Sequence, residues 1–164
     1  MNKRSFTAKV RHNKKAMRAF LTKVEKKDSP YLETMAEAIS VEVWKEVECL
    51  SCANCCKVMT PTFTEEDINR ISAHFTLTPE TFKSTYLKYE KKDKDWQNKK
   101  QPCQWLDMKT NMCSIYEIRP ADCAGFPHLT KKKMTDYIHV HKQNIEYCPA
   151  TYRMVEKMME RTII

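Results

Sequence analysis

Cys49-Leu50-Ser51-Cys52-Ala53-Asn54-Cys55-Cys56 puts four thiols into eight residues, in the pattern C-x2-C-x2-C-C. Two-residue spacers let successive sulfurs converge on one centre, because the tight turn between them aims backbone amides at the thiolates. Those N–H···S bonds and a bound cation both favour the deprotonated sulfur. Asn54 is the residue expected to take the left-handed backbone conformation of such a turn, which asparagine tolerates better than most residues. Adjacent Cys55 and Cys56 are expected to point differently, so that both do not serve one mononuclear metal. One of them then serves a second site or packs as a small buried hydrophobe.

The remaining cysteines are Cys103, Cys113, Cys123 and Cys148, spaced C-x9-C-x9-C-x24-C. A zinc ribbon pairs two C-x2-C knuckles, and the second knuckle is missing. The C-x2-C-x2-C run followed by a distant Cys148-Pro149 is closer to bacterial iron–sulfur ligation, in which clustered cysteines are joined by a later Cys-Pro. All eight cysteines are therefore candidate metal ligands, and their three blocks are expected to share one neighbourhood. Soft thiolates select iron–sulfur clusters or zinc among the common metals. The spacing favours the iron–sulfur cluster, with zinc the alternative.

Composition narrows the function. The chain has 164 residues, 41% of them apolar, and a single glycine, Gly125. Phosphate loops, dinucleotide fingerprints and nucleophile elbows each need two or more glycines, so all three are excluded. Residues 1–30 carry ten Lys/Arg and two acids, whereas residues 31–164 carry nineteen of each sign. The formal charge of +8 thus belongs to an N-terminal arm. That arm is a candidate for a weak anionic partner, and the rest is neutral. No run of 18 apolar residues exists, so no membrane span is expected. The N-terminus has no apolar h-region, and its Lys-rich, serine-poor composition fits an organelle transit peptide poorly. A cytoplasmic location follows, where thiols stay reduced and read as ligands before bridges.

Apolar spacing predicts a helix over residues 5–27 on Phe6, Val10, Met17, Leu21 and Val24, with Lys and Arg on the other face. Ser29 is the expected cap of a second helix that opens at Pro30 and runs to about Val47 on Leu32, Met35, Ala36, Ile39 and Val43. Thr64 and Asp67 form a capping box with Phe63 positioned to staple onto Ile68. Thr78 and Pro79 repeat the device, with Leu77 positioned onto Phe82. Residues 91–101 read as an exposed polar loop, residues 103–127 as short extended pieces and turns, Lys131-Lys132-Lys133 as a turn and Asp136–Val140 as a strand. Pro149 opens a last helix through Val155, Met158 and Met159. The expected fold is mainly α: a small, irregular, metal-stapled single domain with a few short strands. Within it, residues 1–30 are a basic amphipathic arm and residues 31–164 the cysteine-cluster domain.

Cys49–Cys56, Cys103-Gln104-Trp105-Leu106-Asp107, and the run from Cys113-Ser114-Ile115-Tyr116-Glu117-Ile118-Arg119-Pro120 to Cys123-Ala124-Gly125-Phe126-Pro127 resemble the YkgJ-like cysteine-cluster proteins. These are described as zinc- or iron-chelating domains and are mostly bacterial. The resemblance covers residues 45–150, and its C-x-I-Y-E-x-R-P-x-x-C element is specific. Two positions depart from the family pattern: Asn54 stands where a glycine is usual, and Ala124 where an arginine often follows the cysteine. Flagellin lysine methylases share a related cysteine segment, but the similarity is confined to it and implies no methylase activity.

Other residues are weighed against plainer roles. Arg119 either compensates an anionic cluster or caps locally, and Tyr116 reads as core. His139 and His141, two apart on a strand, would share one face, although solvated strand histidines are commoner. His128 follows the Cys123 block and is a lesser ligand candidate. Met154, Met158 and Met159 read as packing residues. Nothing pairs one cysteine with one base, so no catalytic residue is assigned and no small-molecule substrate is identifiable. The leading function is a metal-binding protein of unassigned role. A metal-stapled nucleic-acid adaptor acting through the basic arm comes second, and a metal-dependent enzyme or redox component third.

Overall fold

The computed structural model describes residues 3–27, 30–131 and 133–162. Their elements, in chain order, are α1 (Lys3–Glu25), α2 (Pro30–Glu46), α3 (Cys49–Cys52), α4 (Asn54–Val58), β1 (Thr62–Phe63), α5 (Glu65–His74), α6 (Pro79–Tyr86), β2 (Leu87–Glu90), β3 (Asp95–Asn98), α7 (Ala121–Gly125), α8 (Ile138–Asn144) and α9 (Pro149–Arg161). Two 3-10 turns, Tyr116–Ile118 and Met134–Tyr137, complete the set. The protein is mainly α with a small sheet, as the patterning predicts. The chain forms two compact units: a helical unit of Met1–Glu48 with Pro127–Ile164, and a cysteine unit of Cys49–Phe126. The expected cap at Ser29 and the middle of the Lys131–Lys133 turn lie outside the described residues.

In the helical unit, α1 buries Phe6, Val10, Met17, Phe20, Leu21 and Val24, the apolar stripe of its sequence. It packs on α8 and α9. The Phe6 ring meets Tyr152 edge-on at 5.8 Å, and Asn13 Nδ2 donates to the Tyr152 hydroxyl at 2.6 Å. Helix α2 buries Leu32, Met35, Ala36, Ile39 and Val43 against α9, whose buried side is Ala150, Thr151, Tyr152, Met154, Val155 and Met158. Acids and bases line the outer edge of that pair. Glu42 binds Lys157 (3.1 Å) and Arg161 (2.7 Å), and Glu46 binds Arg153 (2.7 Å) and Lys157 (2.9 Å).

Asp136–Val140 is not a strand. A 3-10 turn runs into α8, because Ile138, His141 and Ile145 recur at helical spacing and all three are buried. His141 is therefore interior and His139 exposed, so the two do not share a face.

The cysteine unit has its own core of Phe63, Ile68, Ile71, Phe82, Leu87, Trp105 and Ile115. Phe82 stacks on Trp105 with centroids 6.1 Å apart and planes inclined by 7°. Both predicted caps are present. Thr64 accepts from the Asp67 amide while the Asp67 carboxylate accepts from the Thr64 amide, and Thr78 accepts from the Thr81 amide ahead of Pro79. Phe63 and Ile68 share the buried cluster, and Leu77 packs against it beside Phe82.

The polar stretch 91–101 is not wholly loop: Asp95–Asn98 is the central strand of an antiparallel sheet ordered β1-β3-β2. Trp96 pairs with Phe63 on one side and Tyr89 on the other. Its ring lies 5.2 Å from Tyr89 and under the Lys83 ammonium at 5.2 Å. Cross-strand aromatic and cation–π contacts hold a strand that has no hydrophobic alternation of its own.

Candidate metal centre

Helix α3 carries Cys49 and Cys52, and α4 carries Cys55 and Cys56. The chain reverses between the two at Ala53, which adopts φ 45° and ψ 22° and donates its N–H to the Cys49 carbonyl at 3.1 Å. The left-handed residue is thus Ala53 and not Asn54, which instead opens α4. The turn must be completed before the next helix begins, and the side chain it buries is a single methyl group. An alanine in this region costs about 1–2 kcal/mol.

The Sγ atoms of Cys55 and Cys56 lie 3.9 Å apart. This differs from the expected divergence of adjacent cysteines. Four sulfurs at ~2.3 Å around a tetrahedral metal are about 3.8 Å from one another, so the pair has the spacing of one edge of a thiolate centre.

Cys103 comes to this turn by its backbone, its N–H donating to the Cys56 carbonyl at 2.8 Å. Asn98, buried in β3, donates from Nδ2 to Cys103 Sγ at 3.3 Å and accepts from Gln104 Nε2 at 3.2 Å. A turn then returns the chain to Cys113, which bridges to Leu106, while the Ser114 N–H reaches the Trp105 carbonyl. Asn111 in that turn accepts from Lys57 Nζ at 2.5 Å and donates to the Ser51 carbonyl at 3.2 Å, tying it to α3 and α4. Cys103 and Cys113 also pack against the aromatic core.

Cys123 lies on α7, which is held at its start. Asp67 Oδ1 accepts from the Ala121 N–H at 3.0 Å, and Asp122 accepts from the Thr62 N–H at 3.0 Å. Asp67 is 3% exposed and ion-paired to Arg70, which in turn donates to the Ile118 and Arg119 carbonyls. Sequence reasoning found Asp67 as a helix cap and missed that its other oxygen anchors the Cys123 helix. A cap that is itself buried is the structural sign of such a second task. Arg119 lies over the Tyr116 ring, 3.8 Å from its centroid, and donates to the Tyr116 carbonyl at 2.5 Å. Tyr116 is half-buried.

Electrostatics join these thiols into one group. The Cys55 thiol, with help from the backbone amide of Cys56 and the charge of Lys57, holds the Cys56 thiol down at about 7 against burial. Burial pushes Cys103, Cys113 and Cys123 up, and charge on Cys56 raises each further. Cys123 also feels Cys103 and Cys113, while the Arg119 charge eases Cys113 down. Thiols this close cannot all ionise alone, and a cation among them inverts the balance, deprotonating the sulfurs that bind it.

Cys49 is exposed and Cys52 half-buried. Cys148 belongs to the helical unit, where it is buried, precedes Pro149 and donates its N–H to the Asn144 carbonyl at 2.7 Å. His128, His139 and His141 are in the helical unit as well. Among the described residues, no three Cys, His, Asp or Glu side chains close on one point as a donor set. Cys55, Cys56, Cys103, Cys113 and Cys123 all belong to the cysteine unit, and charge on Cys56 is felt at Cys103, Cys113 and Cys123.

The same spacing of cysteines defines a protein family, CxxCxxCC, described as a putative zinc- or iron-chelating domain, whose model matches residues 48–149. The chain belongs to that family. All eight cysteines fall within the CxxCxxCC match, and α1 lies outside it. Membership identifies a zinc- or iron-chelating domain and leaves the choice of metal open. No solved structure matches the chain. Among the described residues, no helix is long and apolar enough to cross a membrane.

Proposed function

We propose that this CxxCxxCC protein holds an iron–sulfur cluster, with zinc as the competing centre, through Cys55, Cys56, Cys103, Cys113 and Cys123 of the cysteine unit. Cys49 and Cys52 stand one turn away in the chain as further donors. The observation that supports the reading is the 3.9 Å separation of the Cys55 and Cys56 sulfurs, which matches one edge of a thiolate centre. The donor set fits, being all soft sulfur. Five gathered thiols also exceed the four that one zinc ion takes.

Either centre supplies folding energy, and an iron–sulfur cluster adds a one-electron couple. The chain's own residues do the rest. Asn98 orients Cys103, Arg119 offsets negative charge near Cys113, and Asp67 fixes the start of the helix that carries Cys123. Trp105, Ile115 and Phe63 wall the site with apolar surface. A reducing compartment such as the cytoplasm keeps such thiols available as ligands.

Anaerobic purification without chelator, followed by metal analysis and visible spectroscopy, tests this reading. Brown protein with stoichiometric iron and acid-labile sulfide is the expected result. Colourless protein with one zinc per chain selects zinc. Fewer than one metal per several chains overturns both.

A further inference from the structure

The helical unit holds two basic helices, and they are treated differently. On α9, Arg153, Lys157 and Arg161 are all paired with Glu42 and Glu46 of α2, and Arg153 also with Glu156. On α1, Lys14 and Arg18 bind Glu146, and the helix's lone acid, Glu25, binds Lys142. Arg4, Arg11 and Lys15 are exposed and have no ion-pair partner among the described residues, and neither do Lys9 and Lys23 on their flanks.

Arg4, Arg11 and Lys15 are spaced i, i+7, i+11, which aligns them along one side of a helix, opposite the buried Phe6–Val24 stripe. Ala8 stands between Arg4 and Arg11 on that side, and Ala19 follows Lys15. At 1.5 Å per residue, the basic line from Arg4 to Lys15 is about 16 Å long, with Lys9 and Lys23 off its side.

We propose that this face of α1 binds the phosphodiester backbone of duplex nucleic acid without reading its sequence. Charge complementarity identifies the occupant: an acid-free row of cations matches a rigid rod of phosphates. Phe6 and Phe20 are both buried, and the exposed ring of α1, the imidazole of His12, lies off the Arg4–Arg11–Lys15 line, so that line offers phosphate contacts and no stacking platform. An anionic membrane is the poorer match. A helix that lies on lipid buries its apolar side in the bilayer, and here that side is the core of the helical unit. The inference is independent of the identity of the metal.

Fluorescence anisotropy of metal-loaded, full-length protein with labelled 20-base-pair DNA and RNA duplexes, titrated from 50 to 200 mM KCl, tests it. Four phosphate contacts give a slope of log K against log salt near about −3.6, and therefore about a 150-fold loss of affinity over that range. The triple variant Arg4→Gln/Arg11→Gln/Lys15→Gln is expected to flatten the slope to about −1, with helicity and metal content unchanged. The control Lys91→Gln/Lys92→Gln, in the β2–β3 turn, is expected to bind as the parent does. Binding to either duplex with this pattern supports the proposal. No duplex binding at 50 mM KCl, equal loss in the control, or tighter binding to phosphatidylserine vesicles than to duplex overturns it.

Discussion

The backbone N–H of Cys103 donates to the carbonyl of Cys56 at 2.8 Å, so two cysteines from separate blocks are joined through the main chain and not only through whatever their sulfurs hold.

Cys56 is the thiol that acts on Cys103, Cys113 and Cys123 alike, and Cys49 is the exposed member of the run. Cys56→Ser is therefore expected to lose most of the bound metal, and Cys49→Ser to retain more of it. Metal-to-protein ratios of the two variants, purified side by side, check the order. Equal loss would show that the site closes on the outer end of α3.

Asn98 touches no metal in this reading but donates to Cys103 Sγ. Partners of this kind are typically worth 10–100-fold in metal affinity. Asn98→Ala is expected to weaken binding by about that factor in a chelator competition, with far-ultraviolet circular dichroism preserved. Asn98→Asp should be worse, because it brings a negative charge to a thiolate.

Ala53 and Asn54 give opposite results on substitution by glycine. Ala53→Gly removes left-handed strain and is expected to stabilise the metal-free protein by up to about 1 kcal/mol. Asn54→Gly, within α4, is expected to destabilise it by a few tenths of a kcal/mol. Urea denaturation of both variants measures the difference.

His141 is 1% exposed, and neither ring nitrogen has a hydrogen-bond partner among the described residues. Burial, aided by His128 and His139, lowers its pKa from 6.5 to about 4. The folded state thus prefers the neutral ring. Its contribution is fully present above pH 6.5 and is lost as pH falls from there to about 4, by up to about 3 kcal/mol. Chemical denaturation between pH 7 and 4 should show this slope, and His141→Gln should flatten it.

Much of this was legible locally. The apolar stripes of α1 and α2, the caps at Thr64 and Thr78, and the Pro149 helix start are written within a few residues each. The cysteine blocks were legible because thiols in this density have few other uses. What escaped depends on distant partners. Asp95–Asn98 becomes a strand because Phe63 and Tyr89 flank Trp96, a pairing that no window around residue 95 contains. Ile138–Asn144 is too short for its period to outweigh the strand-like alternation of Tyr137, His139 and His141. Adjacent cysteines are expected to point differently, yet on α4 the Cys55 and Cys56 sulfurs lie 3.9 Å apart, because rotation about χ1 decides where a sulfur goes and the sequence does not record it. Asp67 has two oxygens with two tasks, and only one is local.

The helical unit is discontinuous in the chain: α1 and α2 precede the cysteine unit, and α8 and α9 follow it. Every residue of the cysteine unit is polymerised before the second half of the helical unit. During that interval Met17, Leu21, Ile39 and Val43 wait for Tyr152, Met154 and Met158, which have not yet been translated. At roughly 5–20 residues per second, the stretch from Val43 to Tyr152 takes on the order of 5–20 s. Every thiol of the cysteine unit is thus translated while α1 and α2 still lack the partners that α8 and α9 supply.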